Sequence, residues 1–184
     1  MPDNSRFHLA QLNIAALRFP LDDPRVADFV AALEPINALA DAAPGFVWRL
    51  VGEGSDDATG LRPFGPDVIV NLTVWEGAEA LWDYVYRSGH LEVMRRRREW
   101  FQRHAEAHLA MWWVPAGHVP SLAEAAERLE LLCAEGPSPR AFTFTSSYTA
   151  EEARAADPAL ADRSGAGPAG AGRAGAGQAS SAAV

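Results

Sequence analysis

Val70-Asn71-Leu72-Thr73-Val74-Trp75, continuing through Glu76 to Ser88-Gly89-His90, is the stretch that decides the fold of this chain. Val70, Leu72 and Val74 alternate with Asn71, Thr73 and Trp75, which is the two-residue period of a strand with two unlike faces. The Ala80-Leu81-Trp82 and Val85 spacing that follows has a helical period, with a break expected at Ser88-Gly89. Upstream, Phe7 to Leu17 reads as a strand carrying Ala10, Leu12 and Ile14 on one face and Leu9, Gln11 and Asn13 on the other; Arg18 and Pro20 end it. Asp22-Asp23-Pro24 supplies a cap and a first-turn proline for a helix whose stripe is Val26, Phe29, Val30, Leu33, Ile36 and Ala40, kinked at Pro35. Pro44-Gly45 launches a strand from Phe46 to Val51, and a polar, Gly-rich connection leads to the strand Val68 to Trp75, forming a long hairpin. Helical pattern then runs from Glu76 to His104, and Leu109 to Val114 is a fourth strand. The order β-α-β-β-α-β predicts an α+β, ferredoxin-like unit. Ser121 to Glu124 reads as a capping box opening one more helix, with Leu122, Ala126, Leu129 and Cys133 inward and Gly136-Pro137 as the stop.

Composition narrows the function classes. With 184 residues, 48% of them hydrophobic, six Trp and eight Phe, the chain can bury one core and is short for two. The reading assigns residues 1–146 to that domain and 147–184 to a disordered Ala/Gly-rich tail, because the latter has no apolar periodicity. Gly165-Ala-Gly167-Pro-Ala-Gly170 spells G-x-G-x-x-G with neither strand before it nor helix after it, so it carries no nucleotide-binding prediction. A net charge of -8 argues against nucleic acid as a partner. No apolar run approaches the roughly 20 residues a membrane helix needs, and Met1 to Arg6 lacks the start of a signal peptide, so a cytoplasmic protein without membrane association is expected. Cys133 is the lone cysteine, which excludes an internal disulfide and a cysteine-built zinc site and leaves it as small core filler. All sixteen basic residues are Arg, which removes lysine-dependent Schiff-base chemistry.

The strand faces bear on assembly. Leu109, Met111 and Trp113 alternate with Ala110, Trp112 and Val114, and Phe46, Trp48 and Leu50 with Val47, Arg49 and Val51, so both sheet faces are substantially apolar and both need cover. One helix layer covers one face. For the other the reading predicts a homodimer whose two sheets close into a barrel, the alternative being cover by the C-terminal helix of the same chain.

Ala10-Gln-Leu-Asn-Ile-Ala15, Pro44-Gly-Phe-Val-Trp-Arg-Leu50, Val74-Trp-Glu76, Ser88-Gly-His90 with Arg95 to Phe101, and Trp112-Trp-Val-Pro-Ala-Gly-His118 together resemble the family called domain of unknown function 3291 over about Leu9 to Phe144. That resemblance implies a fold and no established activity. The element order, with a Val-Trp strand end followed by Ser-x-His, more distantly resembles the antibiotic biosynthesis monooxygenase group of dimeric α+β barrels. That group includes small oxygenases that act on aromatic polyketides without metal or flavin, and haem-degrading relatives. The haem-degrading relatives use an asparagine, a tryptophan and a histidine; Asn13 fits the first, but the other two positions fall at Tyr84 or Val85 and at Met94 or Arg95, so no haem and no other cofactor is expected.

Candidate chemistry follows from position. Steps of about 100° from His90 put His90, Val93, Met94, Arg97, Trp100 and Phe101 in one half of a helix, leaving Arg95, Arg96 and Arg98 at or beyond its edges as solvated surface. Arg97 is then inward and must meet an acid, a carbonyl or an anionic ligand edge. His90 suits proton transfer, or a helix cap. Asn13, Asn71 and Asn37 can hold a phenolate or developing oxyanion, or complete backbone hydrogen bonds. Trp48, Trp75 and Trp82 can wall a flat aromatic pocket or simply fill the core. His104 and His108 are four apart, but Glu106 is misplaced for H-E-x-x-H, and no metal is predicted. No G-x-S-x-G occurs, so a hydrolase is not supported. The resulting expectation is a cofactor-independent monooxygenase-like enzyme acting on a small aromatic metabolite, with His90, Asn13 and Asn71 catalytic and Trp75, Arg97, Trp48 and Asn37 contacting the substrate. The competing class is a non-catalytic small-molecule-binding or structural homodimer.

Overall fold

The computed structural model describes residues 6–103, 108–157 and Leu160. Strand β1 (Phe7–Ala16) is followed by a 3-10 turn (Pro24–Val26) and helix α1 (Ala27–Asp41), then by β2 (Phe46–Arg49), β3 (Val68–Trp75), α2 (Ala78–Arg87), α3 (His90–Trp100) and β4 (Leu109–Pro115). Two further helices, α4 (Leu122–Glu135) and α5 (Ala150–Ala156), complete the described chain. The strands form one antiparallel sheet in the order β2-β3-β1-β4, the interleaving expected of a ferredoxin-like α+β unit.

Local chemistry sets the boundaries. The Asp23 carboxylate accepts the Arg25 backbone N–H at 2.9 Å and opens the 3-10 turn that feeds α1. Gly45 takes a φ of 77°, and a Cβ there would stand 2.6 Å from the Ala80 Cβ, so only glycine lets the β2 turn pass so close to α2. Ser88 separates α2 from α3 at the predicted break: its hydroxyl accepts the His90 backbone N–H at 3.2 Å and donates to the Tyr84 carbonyl.

The two sheet faces are built differently. On one, Ala10, Leu12, Leu72, Val74, Ala110 and Trp112 are buried against Ala125, Leu129 and Leu132 of α4 and against Ala58, Leu61 and Phe64 of the segment joining β2 to β3. Each fully buried Leu or Val in such a layer contributes about 1.5–3 kcal/mol. Of the two covers that sheet patterning allows for such a face, a second copy or the C-terminal helix of the same chain, this face has the helix. On the other face, Leu9, Trp75, Met111 and Trp113 pack with Leu81, Phe142, Ala150 and Ala153, beneath α2 and α5. Phe142 also exchanges backbone hydrogen bonds of 2.8 and 2.9 Å with Met111, which covers the outer edge of β4.

Four expectations are corrected here. Phe46 pairs with Trp75 and Trp48 with Val74, adjacent residues of β3, so β2 bulges at Val47. The extra residue turns Phe46 and Trp48 to opposite faces instead of one. Helix α4 buries Ala125, Leu129 and Leu132, with Leu122 partly buried, whereas Cys133 is exposed and fills no core. Only half of the capping box forms: Ser121 accepts the Glu124 backbone N–H at 3.1 Å, but the Glu124 carboxylate turns to Trp112 Nε1 at 2.9 Å and His118 Nε2 at 2.7 Å. Finally, packed chain continues past residue 146. Thr149 and Glu152 form a complete capping box for α5, and Ala150 and Ala153 are buried. Their small side chains leave no periodicity of large apolar residues to read. Apart from Leu160, which is buried, residues 158–184 of the predicted tail, the glycine motif included, lie outside the described residues.

Candidate functional site

The second sheet face does not close completely. A cavity of about 810 Å³ lies where helices α1, α2 and α3 pass over it. Its floor is a polar ladder in register across β1 and β3, with Gln11 opposite Thr73 and Asn13 opposite Asn71. These residues share a face because their positions differ by two along each strand.

Gln11 and Thr73 are the only buried polar residues of the described chain, and they are satisfied in sequence. Trp75 Nε1 donates to Thr73 Oγ1 at 2.9 Å, and that hydroxyl donates to Gln11 Oε1 at 3.0 Å. The Gln11 amide nitrogen has no partner among the described residues and remains available as a donor at the cavity. The side-chain amides of Asn13, Asn71 and Asn37 likewise line the cavity without a protein hydrogen bond among the described residues. Four amides with spare capacity at one cavity amount to a set of donors and acceptors for a ligand oxygen.

The wall is aromatic. Tyr84 stacks on Trp75 with ring centroids 5.0 Å apart, and the His90 ring lies 4.9 Å from that of Tyr84. Trp75 itself is wholly buried, edge-on to Phe46 and faced by Tyr84, so the stacking surface assigned to Trp75 belongs to Tyr84 in front of it. The Tyr84 hydroxyl donates to the Ile36 carbonyl of α1 at 3.3 Å. Burial, with the nearby Asp41 carboxylate adding and Arg49 opposing, pushes its pKa upward, so Tyr84 is a neutral phenol. Burial pushes the His90 pKa down, partly offset by the Val85 carbonyl. His90 is therefore a neutral imidazole at neutral pH, and its Nδ1 is buried with no hydrogen-bond partner among the described residues.

Of the residues singled out from the sequence, His90, Asn13, Asn71, Asn37, Trp75 and Arg97 meet at this cavity. Trp48 does not: it pairs with Val74 and follows it to the α4 face. Trp82 is exposed beside Tyr86 and is no part of the wall. Arg97 is exposed and not buried as expected; it shares a helix face with His90, Val93 and Met94, but the cavity opens to solvent where it stands. Among the described residues no group of three or more His, Cys, Asp or Glu is placed to hold a metal ion, and His104 lies outside them. No helix among them is long and apolar enough to cross a membrane. Sequence reasoning passes over Gln11, Thr73 and Tyr84. The signal for the first two is their two-residue spacing from Asn13 and Asn71; Tyr84 offers none beyond its helical phase.

The chain matches the domain of unknown function (DUF3291) family over residues 8–158. It belongs to that family. Among curated proteins none matches it. Two solved structures follow a similar path. A protein of unknown function from Nitrosomonas europaea is 16% identical, covering 64% of this chain and 98% of its own, with a TM-score of 0.40. SnoaB, a cofactor-independent oxygenase from Streptomyces nogalater, is 17% identical, covering 62% and 96%, with a TM-score of 0.39. At these identities and TM-scores the likeness says nothing of the reaction.

Proposed function

We propose that this cavity binds a small, flat, hydroxylated aromatic molecule and promotes its oxidation by dioxygen without metal or organic cofactor. The observation that carries the reading is the pairing of a stacked Trp75-Tyr84-His90 wall with an Asn13-Asn71 floor whose amides are unengaged. A neutral imidazole accepts the ring hydroxyl's proton, and amide N–H groups hold the resulting oxygen anion. The anion is the electron-rich species that dioxygen oxidises. One oxygen atom stays on the ring as the O–O bond breaks; the other leaves as water with the proton that His90 returns and the proton lost from the same ring carbon, and the phenol becomes a quinone. His90 takes the first proton and returns it to the departing oxygen, and the Tyr84-His90 pair walls the ring.

The test is oxygen uptake together with quinone absorbance over a panel of hydroxylated naphthalenes. The reading predicts one dioxygen consumed per quinone formed, and a fall of at least about 100-fold in turnover for His90→Ala with binding retained. Turnover unchanged in that variant would remove His90 from the chemistry. Binding without oxygen uptake by the wild type would leave the non-catalytic small-molecule-binding reading of the same cavity.

A further inference from the structure

Positive charge gathers at the cavity mouth. Arg25, Arg49, Arg87, Arg95, Arg96 and Arg128 each hold a carboxylate. Arg18, Arg97, Arg98 and Arg103 all line the cavity, and none has a carboxylate partner among the described residues. Their grouping is built into the fold. The end of β1 is tied to the end of α3 by the Arg18 N–H to the Trp100 carbonyl and the Gln102 N–H to the Ala16 carbonyl, both 2.8 Å, and by Arg18 Nη1 to the Arg98 carbonyl at 3.0 Å.

Among the described residues the only acidic one lining the cavity is Asp57, whose carboxylate already accepts from the Thr59 N–H and hydroxyl. The carbonyl end of α3 supplies roughly half a negative charge, which does not balance four guanidinium groups. In a chain of net charge -8 the mouth thus gathers four guanidinium groups that no carboxylate among the described residues neutralises. Along the floor, polarity grades from Trp75 through Gln11 and Thr73 to Asn13 and Asn71, with the rim beyond. Guanidinium forks match planar carboxylates, in pairs of parallel N–H···O bonds.

We infer that the ligand is an aromatic acid, its ring on the Tyr84 side and its carboxylate held at the mouth by Arg97 and Arg98 with Arg18 and Arg103. This rests on the aromatic-cavity reading and names the class of molecule that fills it.

Isothermal titration of the full-length protein with a hydroxynaphthoate, the matching hydroxynaphthamide and naphthyl phosphate separates the terms. The inference predicts that the carboxylate binds about tenfold more tightly than the amide and that added salt erodes the difference. It predicts that R97Q/R98Q abolishes the difference while leaving the melting temperature unchanged, both side chains being exposed. R95Q, which removes a cation from the same helix outside the cavity, should alter neither. Equal binding of carboxylate and amide, insensitive to R97Q/R98Q, overturns the inference and leaves the aromatic cavity standing. A preference for the phosphate overturns the carboxylate assignment. Failure of all three probes to bind overturns the aromatic-cavity reading and the inference with it.

Discussion

The two faces of the sheet carry different burdens. Under α4 the layer is apolar throughout, from Leu12 and Leu72 to Trp112, and it is filled by residues of the same chain. Under α1, α2 and α3 the sheet presents Gln11, Thr73, Asn13 and Asn71, and a cavity stands over them. Burying polar side chains costs free energy unless each finds a partner, so the second face forgoes stability that the first one gains. On the proposed reading, stability lives on the α4 face and recognition on the cavity face.

The largest effect that tests this division is on the filled face. Leu72 is wholly buried there, and Leu72→Ala should cost about 3 kcal/mol, read by urea unfolding, while the folded fraction binds ligand normally. Loss of binding in protein that remains folded would couple the faces and break the comparison. Next in size is Thr73→Val, which keeps the shape and deletes the hydroxyl that joins Trp75 Nε1 to Gln11. Leaving that indole N–H buried and unpaired should cost about 1–2 kcal/mol. A cost near zero would show that the ladder is not a satisfied network.

His90 sharpens the comparison through pH. Its folded pKa lies below the ordinary 6.5 because burial disfavours the imidazolium, so the unfolded chain binds that proton more readily. The contribution is full above pH 6.5 and is lost as the pH falls through 6.5 toward the depressed value. The stability curves of wild type and His90→Asn should therefore separate below pH 6.5, the wild type falling faster, and parallel curves would contradict the burial argument. The smallest stability effect belongs to Asn13→Ala. Its amide has no protein partner among the described residues, so unfolding should shift by less than about 0.5 kcal/mol, even though ligand affinity drops. A large loss of stability would make Asn13 structural.

Much of this was legible in the sequence, for identifiable reasons. The β3 alternation and the Ser88-Gly89 break are local signals, and each names its element correctly. Asn13, Asn71 and His90 could be placed toward one cavity because strand and helix periods fix direction. Trp48 pairs with Val74 and follows it to the α4 face, while a bulge that leaves no mark in the sequence turns Phe46, just before it, to the other face. Arg97 sits at the expected angle, but angle does not say whether a helix face meets packed protein or the mouth of a cavity. Gln11 and Thr73 are 62 residues apart, and only pairing of β1 with β3 joins them. Helix α5 escaped notice because its buried face is two alanines.

The central claim, that the cavity face is the ligand site, is most directly tested by a crystal structure with a hydroxynaphthoate bound. The account predicts the ring against Tyr84 and His90, its hydroxyl oxygen within hydrogen-bond distance of the Asn13 or Asn71 amide, and the α4 face unchanged. A ligand seated outside this cavity, with the Asn13 and Asn71 amides contacting only solvent, would contradict it.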